Sequence, residues 1–366
     1  MNATRQITTL RTAAVIGSTI IGVGILSFPR YMAASGGSSA PFVAFSGIVI
    51  SIACYWLLAS LCRRFPRESL FVFSRRLIGK PLSYVFAVLF LLIFILLTGL
   101  TARQFGDVAT TVLFKKTPIE ATVFLMLLIC QLSSRRDVVK FTYIHFFYLP
   151  LIIGPILFIT LISMRNMDLL NLQPVLVMPS AAFWRGAVEA SFLFQSSFII
   201  VLLVPFMQKP KQAVRAGVLA IAVAGIIYLL IVVAAVGLFG AEETKLLIYP
   251  TLESARSAVV GEGFLERLDA IFIVLWVISV YTTLYSTYYL AACLLQQVFA
   301  FRDQRMSSTL ILPLTFVMAA LPANVFETYT WSLALGAASM IILSVYLFLL
   351  WSMYLIRRLR KRGAVR

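Results

Sequence analysis

Long apolar runs recur along the whole chain, and short segments rich in Lys and Arg separate them. In hydrocarbon such a run cannot lie as coil or as an open strand, because every backbone N–H and C=O must find a partner within the protein. Helices are therefore expected over 12–30, 41–62, 82–103, 118–133, 142–163, 187–207, 214–238, 268–297, 307–322 and 328–356. Ten such spans describe an all-α integral membrane protein, with residues 1–366 forming a single transmembrane domain. Hydrophobic residues make up 61% of the chain and charged residues 12%. A water-soluble domain averages about half and about a quarter. The formal net charge of +17 would suit a nucleic-acid binder, but the basic residues sit in clusters between apolar runs. No nucleic acid is expected as a partner.

Those clusters set the orientation. With the N-terminus in the cytoplasm, the inner segments hold 22 of the 31 Lys and Arg residues. Of the 14 acidic residues they hold only Glu68, Asp137 and Asp303. Both termini are then cytoplasmic and the span count is even. The basic tail "RRLRKR" fits topology setting and contact with anionic membrane lipid. The first run follows Arg5 and Arg11 as a signal peptide would. Its 18 residues from Thr12 to Pro29 reach ~27 Å as a helix, enough for the bilayer core, and it reads as an uncleaved span. Outside, "LIYPTLESARSAVV" reads as a surface helix starting at Pro250.

The four cysteines, Cys54, Cys62, Cys130 and Cys293, lie in or at the ends of apolar runs without a metal-ligand spacing, and the one histidine is His145. No metal, cofactor or catalytic motif is expected, and the chain does not read as an enzyme.

The first span contains "IGSTIIGVGILSFPR", Ile16 to Arg30, with glycines at 17, 22 and 24. A glycine in a helix interior costs about 1 kcal/mol relative to alanine. Close helix packing accounts for glycines on one face. Gly22 and Gly24 are two residues apart and lie on nearly opposite faces, so one seam cannot use both. A break in the helix is the alternative. It would expose N–H groups near the bilayer midplane, where they suit a carboxylate. Dividing ten spans into five and five reverses the second set, which makes an inverted repeat with spans one and six in matching places. Span six reads "EASFLFQSSFIIVLLVPF", and its Ser191, Gln195, Ser196 and Ser197 mark a second expected break. Ordinary interhelical hydrogen bonding is the rival reading of these side chains.

These features carry a resemblance. "IGVGILSFPR", "LIGKPLSYVFAVLFLLIFILLTGLTARQF", "LLNLQPVL", "PFMQKPKQAVRAG", "YPTLESAR" and "FLERLDAIFIVLWVISVYTTLY" occur in that order within the ten-span frame. No one string is diagnostic; together they resemble the B subunits of bacterial spore germinant receptors, the spore permease family. The resemblance implies the amino acid–polyamine–organocation superfamily and a LeuT-like 5+5 inverted repeat with helices 1 and 6 broken. It implies residence in the inner membrane of the endospore and assembly with receptor A and C subunits. It also implies recognition of a small nutrient, often an amino acid, that triggers germination. In related permeases the GxG of span one receives the substrate carboxylate, and Gly22, Val23 and Gly24 match it.

A ligand is accordingly expected between spans one, three, six and eight. Gly22, Val23 and Gly24 would offer N–H groups, and Gln195 and Ser196 polar contacts. Phe94, Leu97 and Thr98 would form a wall. On span eight Ser279, Thr282, Thr283 and Ser286 form one hydroxyl stripe. The resemblance to LeuT-like folds makes Thr282 and Thr283 candidate Na+ ligands, and bonding back to their own helix is the rival. Among charged residues, Arg103 and Asp107 are spaced to pair. Glu189, Glu266, Arg267 and Asp269 open spans, and interfacial placement is the plainer reading for all of them. His145 reads as a satisfied structural histidine before a proton relay. Two functions remain, a nutrient sensor and a secondary amino acid transporter coupled to Na+ or H+; a mere structural anchor would need no pocket.

Overall fold

The computed structural model describes residues 6–175, 180–258 and 268–363, the side chains of 268–269 and 360–363 apart. Fourteen α-helices follow one another among these residues: α1 Thr9–Ile20, α2 Phe28–Gly36, α3 Ala40–Cys62, α4 Leu70–Ile78, α5 Lys80–Val108, α6 Ile119–Ser134 and α7 Val138–Ser163. Then come α8 Ala181–Phe192, α9 Ile200–Leu203, α10 Ala213–Leu246, α11 Pro250–Ser257, α12 Leu268–Phe299, α13 Gln304–Ala320 and α14 Val325–Gly363. Among the described residues the one β feature is an isolated bridge between Ile7 and Met207.

Among the described residues seven helical stretches are long and apolar enough to cross a membrane: Phe28–Cys62, Lys80–Leu113, Val138–Asn166, Ala181–Phe206, Pro210–Leu246, Ala270–Phe299 and Val325–Leu359. The other three expected spans fall below that length, and two of them, 118–133 and 307–322, are short in the sequence already, with 16 residues each. α1 stops after 12 residues, α6 has 16 and α13 has 17. An apolar run counts residues, whereas a helix of n residues reaches only ~1.5n Å.

Local chemistry sets several ends. Asp137 caps α7 by accepting the N–H groups of Val139 and Lys140, each at 3.0 Å. α10 turns at Gly240, whose φ of 73° is open to glycine at little cost. That turn lies two residues beyond the expected end of span seven. At the end of α5, Arg103 Nε and Asp107 Oδ1 pair at 3.1 Å with side chains only 12% and 6% exposed. The Thr328 hydroxyl of α14 donates to the other Asp107 oxygen at 3.3 Å. Arg103 Nη1 also reaches the Ala319 carbonyl of α13 at 3.5 Å. The expected pair thus ties three helix ends together. Glu266 and Arg267 lie outside the described residues, as does the side chain of Asp269.

α10 packs against α1, α2 and α3, and α12 against α5, α6 and α7. α8 leans on α3, and α14 on α5 and α8. α1 and its continuation therefore lie among α7, α10 and α12.

Candidate functional site

The first span is broken where the glycines stand. α1 stops at Ile20, Ile21 is extended (φ −78°, ψ 102°), and a 3-10 turn covers Val23–Ile25 before α2. A Cβ on Gly22 would overlap the Thr283 side chain of α12, and one on Gly24 would overlap Leu193. Gly17 is different. A Cβ there would sit 3.6 Å from Leu149 Cδ1, an ordinary contact.

A break frees carbonyls, and other helices satisfy them. Ile20 O accepts from the Tyr228 hydroxyl at 3.1 Å, and Ile21 O from Ser279 Oγ at 2.8 Å. Ser18 O accepts from Thr282 Oγ1 at 3.0 Å, and Thr19 O from Thr283 Oγ1 at 2.9 Å. Beyond the break, Thr251 of α11 donates its hydroxyl to Ile25 O at 2.7 Å and its N–H to Leu26 O at 3.3 Å. The first bonds of the 3-10 turn come from the N–H groups of Ile25 and Leu26. The turn itself therefore uses none of the N–H groups of Gly22, Val23 and Gly24.

Span six departs from the expectation. It is not unwound. α8 tightens into a 3-10 helix over Leu193–Ile199 and relaxes into α9, with right-handed helical dihedrals at Phe192, Leu193, Ile199 and Ile200. Its polar residues bond sideways or backwards. Gln195 Nε2 donates to Gly336 O of α14 at 3.0 Å, and its Oε1 accepts from Ser339 Oγ. Ser191 Oγ donates to Val188 O of its own helix at 2.6 Å. No glycine lies in 187–207 to admit an extended residue at low cost, so the chain tightens and stays helical.

A cavity of about 140 Å³ opens at the span-one break. Gly22, Val23, Gly24, Leu97, Gln195, Ser196 and Thr283 line it, all of them expected site residues. Four other expected residues stand aside. Phe94 packs on Phe198 with ring centroids 5.6 Å apart, and Thr98 Oγ1 donates back to Phe94 O at 2.7 Å. The face of α5 that meets the cavity carries Ile93, Leu97, Thr101 and Gln104, spaced by four, four and three as one helix face requires. Ser279 and Thr282 hold the span-one carbonyls and do not line the cavity. Sequence reasoning missed α14, which contributes Tyr329, Ser332, Gly336 and Ser339. Glu189, read as interfacial, also lines the cavity.

Thr282 Oγ1 lies 2.8 Å from Ser279 O of its own helix and 3.0 Å from Ser18 O, and Thr283 Oγ1 lies 2.9 Å from Thr19 O and 3.3 Å from Ser279 O. A cation held there by both sets of oxygens would have to displace those bonds. Among the described residues no group of three or more His, Cys, Asp or Glu side chains could hold a metal ion. His145 is fully buried. Its Nδ1 lies 2.7 Å from Ser18 Oγ and its Nε2 3.2 Å from Ser286 Oγ, so both ring nitrogens have partners.

This arrangement is the fold of LeuT-like transporters. A Na+-coupled sialic acid symporter superposes with a TM-score of 0.69 at 10% identity, over 94% of this chain and 78% of that one. MhsT in complex with L-phenylalanine superposes with a TM-score of 0.67 at 11% identity, over 95% and 89%. Residues 6–327 match the spore permease family, described as spore germination protein, and the chain belongs to that family. It is 25% identical over 362 residues, 98% of each chain, to spore germination protein YndE of Bacillus subtilis (strain 168). The chain is thus a multi-pass membrane protein of spore germination, with the family and fold of permeases.

Proposed function

We propose that the chain is a nutrient-sensing subunit of a spore germination receptor and binds a small molecule, such as an amino acid, in the cavity at the span-one break. The cavity itself is the observation that carries this reading. An engineered protein cavity of about 150 Å³ takes up benzene, so about 140 Å³ suits a small metabolite. Gly22, Val23 and Gly24 line it, and their backbone N–H groups would receive an anionic group. A ligand that binds one arrangement of the break better than another shifts their populations, and receptor A and C subunits would read the shift. The chain would sit in the inner membrane of the endospore. Ten crossings with cytoplasmic termini are assigned to α1 with α2, α3, α5, α6, α7, α8 with α9, α10, α12, α13 and α14. No enzymatic activity and no cofactor are assigned to it.

A second reading, a secondary transporter coupled to Na+ or H+, draws on the symporter fold. Two measurements separate them: amino acid binding and uptake by the purified chain in vesicles, and the germination dose response of spores carrying it. Binding with a germination response and no net uptake supports the sensor. Concentrative uptake moves the assignment to a transporter, and absence of any binding removes both. Topology is tested by cysteine labelling. A cysteine at exposed Glu242 should react from outside and one at Lys211 should not.

A further inference from the structure

We infer that Glu189 makes one end of this cavity a cation subsite. The ligand class it selects is a zwitterion whose ammonium stands well away from its carboxylate, as in a diamino monocarboxylic acid or an ω-amino acid. The inference rests on the cavity being the nutrient site.

Glu189 is the one charged side chain lining the cavity among the described residues. It lies on α8 four residues before Leu193, and Leu193 is the side chain that abuts Gly24. Four residues of helix separate the two levels by ~6 Å. Side chains on a helix lean toward its N-terminus, which carries the carboxylate further from Gly24. In an α-amino acid the nitrogen and the carboxyl carbon are two bonds apart, ~2.5 Å. A molecule held by its carboxylate at Gly22 to Gly24 therefore cannot present its α-ammonium to Glu189. A cationic group at the end of a side chain can reach it.

The surroundings suit a cation. Tyr31 and Tyr329 line the same cavity, their ring centroids 5.9 Å apart, and aromatic faces attract ammonium groups. The Tyr329 hydroxyl is buried, with the Ser27 side chain as a polar neighbour. Glu189 does have a partner, Arg185 Nε at 3.0 Å, but the Arg185 side chain is 82% exposed against 20% for Glu189. Exposed pairs of this kind hold weakly, so a ligand ammonium can replace the guanidinium.

The test measures binding of L-lysine, 5-aminovalerate and L-norleucine to the purified full chain in nanodiscs. Norleucine matches lysine except for the terminal ammonium. Lysine and 5-aminovalerate should bind about tenfold or more tighter than norleucine. Glu189→Gln should bring lysine down to the norleucine level and leave norleucine unchanged. Arg185→Ala should tighten lysine severalfold by removing the competing cation. Norleucine binding as tightly as lysine, or a lysine preference that survives Glu189→Gln, overturns the subsite and leaves the cavity reading standing. If Glu189→Gln does not fold, an unchanged lysine affinity in Arg185→Ala overturns it instead. Failure of lysine and 5-aminovalerate to bind the unmodified chain overturns the subsite, and the cavity reading then stands or falls on the uptake and dose-response measurements above.

Discussion

Spans one and six both leave ideal α-helical geometry at mid-span, and they do so by different means. Span one is interrupted: Ile21 is extended, a Cβ on Gly22 would overlap Thr283, and one on Gly24 would push aside the end of the Leu193 side chain. Span six tightens to a 3-10 helix without an extended residue. The difference lies in who satisfies the backbone. An unbonded carbonyl in lipid costs several kcal/mol, and span one is relieved by hydroxyls from α10, α11 and α12. Span six receives no such set, and its polar side chains bond outward to α14 or back onto its own carbonyls. A break in a membrane helix is thus a property of its neighbours as much as of its own glycines.

The largest effect should come from Gly24→Val. It crowds the break against Leu193, and a lost charge-assisted hydrogen bond is worth roughly 1.5–3 kcal/mol, or about ten- to over a hundredfold in ligand concentration. Dose–response curves at measured membrane abundance should show that shift or no response. An unchanged curve would mean that the break does not serve the ligand. If abundance falls, adding Leu193→Ala makes room for the valine and should restore it. Next comes Ser279→Ala with Thr283→Val, which strips donors from Ile21 O and Thr19 O. Each carbonyl left without a partner costs about 1–3 kcal/mol, read as a lower unfolding temperature in detergent. Ser191→Ala in span six, which removes a bond within its own helix, should cost far less; equal losses would erase the contrast between the two spans. Gln195→Leu breaks the link between spans six and ten and should cost ~0.6–1.7 kcal/mol, the range measured for interhelical bonds in lipid. The smallest change is Gly17→Ala. With a contact of 3.6 Å to accommodate, it should be neutral or stabilising by up to about 1 kcal/mol, and a strong loss of stability would show that Gly17 also stands at a close approach.

The break was legible because opposed glycines in a single span have no packing explanation. The facing of α5 was not. From Val85 to Leu97 that helix is apolar on every side, so no stripe picks out Leu97 over Phe94. The α14 wall had a signal, since Tyr329, Ser332, Gly336 and Ser339 recur at spacings of three, four and three on one face. What the residues alone could not say is that this face meets a cavity. The hydroxyls of Ser279 and Thr282 were found as a stripe; Thr282 bonds back to Ser279 O as well as to Ser18 O, while the Ile21 O that Ser279 meets is free only because a different helix is interrupted. The apolar run of span one overstated the length of α1 for the same reason, since hydropathy continues through a break that hydrogen bonding does not.

Thr251 gives α11 a further significance. A single residue grips the Ile25 and Leu26 carbonyls at the end of the cavity turn, while Glu253 and Arg256 of the same short helix pair at 2.7 Å on its outer side. Any coupling between the turn and the surface that α11 carries has a ceiling. Two neutral hydrogen bonds are worth about 1–3 kcal/mol together, so through these bonds alone an event in the pocket can bias the surface by no more than about 5- to 150-fold.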